Sequence, residues 1–595
     1  MTSRVSVERR DEGELVLRNP QLLEPFDATM VEWFEHWAAV KSGEVFLGER
    51  VGEGWNLVTY GEAHDRVRRM AGMLLQRGVA PSRPLLILAP NGIAHALAML
   101  AAMYIGVPAA SVAPAYANST LDYAKLAAVF DALQPGAVFS GDRRAAAALG
   151  AMGRNHEFTV DTGSDLESSS TLDTGALKAA RSTVKPGSVA KVVFTSGSTG
   201  APKGVIHTHR MWSANQQQLA QAWPFLREAP PVLLDWLPWS HTFGGNHNFG
   251  LVLRHGGALY VDDGAATPAG IARTVRNLRD IAPTLYFNVP KGYDLLLSAL
   301  EADPVARANL FSRLRLLKCA AAAMPAHVAT RLRKTAQESQ CGPIPIVTGW
   351  GSTETAPAAT ATSMDAEGHQ GIGLPLPGVE LKLTPAGASY ELRVRGPNVT
   401  PGYWRRPELA ASMFDEEGFY RMGDLGNLID SARPEFGVAF EGRLAEEFKL
   451  STGTWVQVSP LRLRSLAAFG GLVLDAVVAA PNRDFVGLLL FMNWERCRAL
   501  LGDLGTSATE QQIIQEPQIR GAIRKAMSEL ARTGGSASYP TRCLPLTGGP
   551  DSASGEITDK GYINQALALR RRADDVERLY AAWPDSGVIC LDRDE

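Results

Sequence analysis

Cysteine is scarce in this chain. There are five in 595 residues (Cys319, Cys341, Cys497, Cys543 and Cys590), and none shows C-x-x-C spacing. That argues against a disulfide framework or a cysteine zinc site and fits a reducing compartment. A surplus of either charge is missing too. Against 62 Asp and Glu stand 59 Lys and Arg, a formal net charge of −3, which speaks against polyanion binding as the main task. The charged N-terminal stretch up to Leu17 has no apolar core of a secretory signal. The one long uncharged run, Pro84 to Leu121, is interrupted by Pro90, Asn91, Gly92, His95, Pro108 and Pro114. Lipid would leave backbone groups there unsatisfied, so a strand (Leu85–Leu88), a helix (Ile93–Tyr104) and a second strand account for it better than a membrane span. The expectation is a cytoplasmic protein that binds neither membrane nor nucleic acid.

What is present is the composition of a globular protein, 45% hydrophobic and 20% charged, in a chain too long for one ordinary domain. Apolar runs at Leu85–Leu88, Lys191–Phe194, Leu233–Leu237, Thr284–Phe287 and Ile344–Val347 read as buried strands. Helix-period segments such as Ile271–Asp280 lie between them, and this alternation predicts α/β architecture with mainly parallel sheets. Shorter alternating strands at Leu381–Leu383 and Glu391–Val394 suggest a small β unit, and Asp475–Ala479 and Gln518–Arg532 a strand and a helix further on. Polar stretches at Ser164–Thr174 and Thr533–Ser538 read as loops. The expected division is a large N-terminal domain, 1–442, and a smaller, mobile α+β C-terminal domain, 443–595.

The densest chemical signal follows the run Lys191–Phe194. Thr195, Ser196, Gly197, Ser198, Thr199, Gly200, Ala201, Pro202, Lys203 and Gly204 bring four hydroxyls, glycines and a lysine into one loop able to wrap an anion. A Walker loop is excluded. Pro202 stands where its second glycine belongs, and Gly204 where its Mg²⁺-binding hydroxyl belongs.

The loop instead resembles the signature of the adenylate-forming superfamily, which includes acyl-CoA synthetases, peptide-synthetase adenylation domains and luciferases. Three further strings resemble that family's motifs in order: Gly349-Trp350-Gly351-Ser352-Thr353-Glu354, Tyr420-Arg421-Met422-Gly423-Asp424, and Gly442-Arg443 through Lys449 and Gly453. The resemblance implies that ATP converts a carboxylate into an acyl-adenylate, with Mg²⁺ as cofactor and CoA as acceptor. It makes Thr195, Ser196, Gly197, Ser198, Thr199, Gly200 and Lys203 phosphate ligands, with Trp350 against the adenine and Gly351, Ser352 and Thr353 beside the nucleotide. Asp424 would take the ribose hydroxyls, and Arg443 the ribose or phosphate. Glu354, with Thr199, would hold Mg²⁺, since a hard cation prefers carboxylate oxygen. His241 would line the acyl site, with Phe243, Asn246, His247, Ala321 and Gly349 around the acid. Asn246 and His247 want polar partners such as a phenol. Lys449 and Gly453 would face the CoA step.

Asp235–Phe249, Ser352–Ala358, Phe448–Val456 and Gly555–Asn564 look very like bacterial feruloyl-CoA synthetases. The implied reaction joins ferulate, p-coumarate or caffeate to CoA in the catabolism of lignin-derived aromatics. Fatty acids, benzoates or a carrier thiol as reactants, and a non-catalytic nucleotide-binding protein, stay open, as does a homodimer. Two departures stand out. Glu556 occupies the place of the family's C-terminal lysine, leaving Lys560 as the candidate for that role, and Ala445 replaces the usual hinge aspartate.

Overall fold

In the computed structural model the described residues are 5–117, 123–141, 144–154, 160–161, 174–195, 202–320, 324–339, 342–362, 364, 371–452, 454–532, 535, 537–551, 556 and 563–591. They fall into two compact units. The first comprises 1–384, 392–422 and 428–439, and the second 385–391, 423–427 and 440–595.

The first unit is built on parallel sheets between helices. In one sheet Leu85–Ile87 lies between Ala109–Ser111 and Ala137–Phe139, parallel to both. Val189–Thr195 continues it in parallel beside Ala109–Ser111, and Lys203–Thr208 folds back antiparallel on its edge. The intervening helix, Ile93–Tyr104, is buried on nearly every side, which explains the uncharged run: it serves the core from all directions. No helix among the described residues is long and apolar enough to cross a membrane.

A second sheet sets Val232–Asp235, Ala258–Val261 and Val45–Val51 in parallel, closed by antiparallel Gly54–Thr59. Leu285–Asn288, Leu316–Cys319 and Ile346–Val347 form a third, parallel throughout. Every residue of Leu316–Cys319 is buried, Lys318 among them. Helix Pro268–Asp280 covers this region, starting one turn before the expected Ile271 because Thr267 caps it and Pro268 occupies the first position. Leu15–Arg18 pairs antiparallel with Ser6–Arg9 and Glu380–Ala386. The N-terminus thus joins a β unit expected only from residues near 380.

Helix His209–Ala222 is almost wholly buried yet carries Asn215, Gln216, Gln217, Gln218 and Gln221. Its amides reach backbone carbonyls on both sides. Asn215 donates to the Ala358 carbonyl at 2.7 Å, Gln216 to that of Asn246 at 3.0 Å, and Gln218 to that of Pro377 at 3.1 Å. Buried amides so paired fix neighbouring loops rather than destabilise the core.

In the second unit Val473–Ala479 pairs antiparallel with Gly487–Met492, which runs parallel to Arg542–Leu546, and Ile589–Cys590 closes the sheet. Helices Val458–Ala468 and Pro517–Ala531 pack on one face of it. Mixed α/β architecture with a larger N-terminal and a smaller C-terminal unit is therefore the fold.

Candidate active site

The strand pair Val189–Thr195 and Lys203–Thr208 ends at the Thr195–Lys203 partners. Ser196, Gly197, Ser198, Thr199 and Gly200 lie between them, outside the described residues, as do Ala321, Gly453 and Lys560. Lys203 holds its ammonium over the ring of Tyr403, 5.5 Å from the centroid. The Tyr403 hydroxyl donates to Glu354 Oε1 at 3.1 Å, and the Ser352 hydroxyl to Oε2 at 2.8 Å. Glu354 is largely buried on the single turn Thr353–Thr355, which Ser352 caps. Burial and the neighbouring Glu354 carboxylate push the phenols of Tyr403 and Tyr420 upward. Both therefore stay neutral donors around the carboxylate. Tyr420 opens the string that ends at Asp424, whereas Tyr403 was not singled out from the sequence.

Just before this turn, Gly349 and Trp350 pair with Ala361 and Thr360, and Trp350 is buried. A side chain at Gly351 would run into the Pro357 carbonyl at 1.9 Å, at a φ of +154°. The tight turn presenting Ser352, Thr353 and Glu354 thus depends on that glycine.

The second cluster rests on 243–248, a π-helical turn (Phe243–Asn248) that continues into helix Phe249–His255. Gly244 and Gly245 let it lie against 237–239. An added Cβ would come within 2.3 Å of the Leu237 and Trp239 carbonyls, respectively. The polar side chains of this turn are committed to the protein. Lys191, buried in mid-strand, donates to Asn246 Oδ1 at 2.9 Å and to the Gly245 carbonyl at 3.0 Å. Asn246 Nδ2 donates to His207 Nδ1 at 2.7 Å, and His207 Nε2 donates to the Thr353 carbonyl at 2.8 Å. Both polar ends of Asn246 are thereby occupied, which corrects the expectation that this side chain seeks a phenol.

His247 is engaged as well. Its Nδ1 lies 2.8 Å from Asn248 Oδ1, Asn248 Nδ2 donates to Asp235 Oδ2 at 3.0 Å, and His247 Nε2 lies 2.9 Å from Lys318 Nζ. Burial lowers Lys191 and Lys318 to about 7. It raises Asp235 to about 7 and holds His247 well below its usual value. The imidazole is therefore neutral. Its proton sits on Nδ1, facing the Asn248 oxygen, and Nε2 accepts from the lysine.

Around Lys318 the structure gathers an aromatic enclosure. The ring of His247 lies 5.4 Å from that of Phe243, 5.2 Å from Phe287 and 5.6 Å from Trp223, and Lys318 Nζ is 5.0 Å from the Trp223 centroid. Gly349 completes it: a Cβ there would be 3.7 Å from Lys318 Nζ. Phe243 and Gly349 are half-buried, whereas His247, Phe287, Trp223 and Lys318 are buried; His241, two residues before Phe243, is half-buried as well. Of the residues proposed from sequence for the acid, Phe243, His247 and Gly349 meet here. Lys318 was missed, although a lysine in the otherwise apolar run Leu316–Cys319 was the signal.

In the second unit Arg443 pairs with the buried Asp424 at 3.1 Å, and Lys449 sits over Trp455 at 4.9 Å. Glu446 is raised by burial, against the pull of Arg443 and Arg462. Glu556 receives Arg572 through both Nε (2.8 Å) and Nη2 (2.9 Å) and the Asp551 amide at 2.8 Å. It is a buried structural carboxylate. Among the described residues no group of three or more His, Cys, Asp or Glu is gathered that could hold a metal.

A family model described as AMP-binding enzyme matches residues 34–404. The chain is 30% identical over 259 residues to a probable CoA ligase, CCL8, of Humulus lupulus, a match spanning 40% of this chain and only 41% of that protein. It is 26% identical over 475 residues to a 3-[(3aS,4S,7aS)-7a-methyl-1,5-dioxo-octahydro-1H-inden-4-yl]propanoyl:CoA ligase of Rhodococcus jostii, covering 75% of this chain and 86% of that one. The crystal structure of ATP-bound MatB from Rhodopseudomonas palustris superposes with a TM-score of 0.67 at 20% identity, over 92% of this chain and 99% of the other.

Proposed function

The chain belongs to the AMP-binding enzyme family, and on that premise we propose that it joins a hydroxycinnamic acid such as ferulate, p-coumarate or caffeate to CoA. ATP is consumed through an acyl-adenylate, and AMP and pyrophosphate are released. The coarser reading, an ATP-dependent acyl-CoA ligase, is supported by the CoA-ligase relatives. The aromatic choice is supported by one observation: the rings of Phe243, His247, Phe287 and Trp223 gather around Lys318, with Gly349 beside it. Aromatic surroundings of this kind favour a planar ring by stacking and edge contacts.

The first step brings an anionic carboxylate onto an anionic α-phosphate, so charge neutralisation is the chief requirement. Lys203 supplies a mobile cation beside the loop that follows Thr195. Thr353 brings a hydroxyl on the same turn as Glu354. Glu354 fits a Mg²⁺ role: its neighbours Ser352, Tyr403 and Tyr420 are all neutral, so no cation competes for its charge, and Mg²⁺ commonly takes one carboxylate together with substrate phosphates. Bound there, Mg²⁺ would neutralise phosphate charge. Ser352 and Tyr403 hold the carboxylate in place, Trp350 serves the adenine, and His241 shields the adenylate from water. The second unit contributes the Asp424–Arg443 pair for the ribose and Lys449 for the CoA step.

Pyrophosphate release with ferulate, p-coumarate, benzoate and a medium-chain fatty acid, each with and without CoA, tests this. CoA-dependent turnover strongest on the hydroxycinnamates is expected. Turnover confined to the fatty acid would overturn the substrate assignment and leave the ligase.

A further inference from the structure

We propose that His207 is a positioning residue for the adenylation step, setting the Thr353–Glu354 turn against the acid-side turn Phe243–Asn248; this rests on the acyl-CoA ligase reading above, whatever the acid. Lys191 and His207 are direct partners across the antiparallel strands that flank the phosphate loop, so their side chains leave the same face of the sheet. Asn246 bridges the two. Its Oδ1 accepts from Lys191 at 2.9 Å, and its Nδ2 lies 2.7 Å from His207 Nδ1. All three residues are buried. His207 Nε2 then reaches the Thr353 carbonyl at 2.8 Å. The hairpin around the phosphate loop, the acid-side turn and the turn carrying Glu354 thus meet at one imidazole.

The direction of each bond is set from the lysine outward. Lys191 donates to the Gly245 carbonyl and to Asn246, which turns the amide oxygen toward the lysine and the amide nitrogen toward His207. Nδ1 of His207 must then accept, so its proton sits on Nε2 and is donated to Thr353. The two turns are not held equally. Asn246 is anchored without His207, because Lys191 keeps its side chain while Trp212 and Gln216 donate to its carbonyl at 2.8 and 3.0 Å. The backbone of Thr353 and Glu354 is tied to the hairpin at one other point among the described residues. There the Thr400 amide donates to the Glu354 carbonyl at 2.8 Å and the Thr400 hydroxyl to the Ile206 carbonyl at 2.7 Å. A single tie leaves a pivot, and the bond from His207 fixes the orientation about it. The Glu354 carboxylate and the Thr353 hydroxyl ride on this turn, and a misplacement of about 1 Å can cost about 100-fold in rate.

The test separates the two half-reactions in the wild type, His207→Leu and His207→Gln. Leucine removes both bonds, whereas glutamine again offers one acceptor and one donor on a planar group. Adenylation is read by pyrophosphate release with the best of the four acids, and thioester formation by capture of that acid's synthetic adenylate with CoA. His207→Leu should lower kcat for adenylation about 10- to 100-fold while the KM for the acid and the rate of thioester formation stay within about threefold of wild type. His207→Gln should recover most of the lost kcat. A fall in adenylation kcat of less than about threefold, an equal fall in both half-reactions, or a raised KM for the acid at unchanged kcat overturns the inference and leaves the ligase. If His207→Leu does not fold, His207→Asn, which keeps an acceptor for Asn246 but is too short for Thr353, is held to the same expectations. With turnover only on the fatty acid, the hydroxycinnamate assignment fails and the same comparison is made on that acid. Absence of wild-type turnover on every acid overturns the ligase reading, and the inference with it.

Discussion

Replacing Glu556 by lysine would restore, on paper, the residue type that the superfamily resemblance leads one to expect there. The geometry predicts damage instead. The Glu556 side chain is 3% exposed and takes Arg572, itself 17% exposed, through two guanidinium nitrogens. Burial, the largest single influence, would raise this carboxyl, but the Arg572 hydrogen bond, the Asp551 amide and the charges of Arg572 and Arg571 together outweigh it and the net shift is downward. The pair therefore favours the charged form, and its stabilisation is fully present above the ordinary carboxylate range. It is lost as pH falls through the lowered folded value. Removing one partner of a buried pair leaves the other uncompensated, which typically costs about 3–5 kcal/mol. For a unit of this size that is a fall of about 6–20 °C in the melting transition. Glu556→Gln should show most of this loss in urea unfolding, and Glu556→Lys more, because it adds a second cation beside Arg572. A double-mutant cycle with Arg572→Gln isolates the coupling, expected at about 2 kcal/mol or more. A coupling near zero, or a Glu556→Lys protein of wild-type stability and higher adenylation activity, would refute the argument and return position 556 to the catalytic machinery.

Glu354→Gln keeps a carbonyl acceptor and most of the side-chain volume but loses the charge, so folding should survive. Adenylation, read by pyrophosphate release across a Mg²⁺ titration, should fall about 100-fold or more; a loss under threefold would remove Glu354 from the metal role. Buried His209 has both ring nitrogens without a hydrogen-bond partner among the described residues, and burial lowers it to about 3. Below pH 6.5 the unfolded chain takes up a proton that the folded one refuses, so wild-type stability falls by about 1.4 kcal/mol per pH unit from this group. His209→Gln should therefore gain about 2 kcal/mol relative to wild type between pH 7 and pH 5 in denaturant unfolding, and a pH-independent difference would refute it.

The α/β class, the uncharged core helix and the strand before the phosphate loop were legible because apolar period and punctuation are local signals. Ile93–Tyr104 even has its expected ends. The joining of Leu15–Arg18 to Glu380–Ala386 was not, since nothing in either strand names a partner some 365 residues away. Nor was the buried helix His209–Ala222. Its five amides gave no local signal of burial, and only the tertiary fold shows that each has a carbonyl or side chain to meet. In the candidate site, Phe243, His247 and Gly349 were found through the family resemblance, whereas Tyr403 and Lys318 carry no motif and acquire a role only through Glu354 and His247.

The two buried lysines show what motif reading omits. Each starts a relay whose donors all point away from it: from Lys191 through Asn246 and His207 to the Thr353 carbonyl, and from Lys318 through His247 and Asn248 to Asp235. A neutral lysine still donates, so neither relay depends on the ammonium charge. The charge matters to stability with a definite sign. Lys318 is lowered from 10.5 to about 7, and between those values the unfolded state binds the additional proton. The lysine's burden is therefore full below pH 7 and is relieved as pH rises toward 10.5.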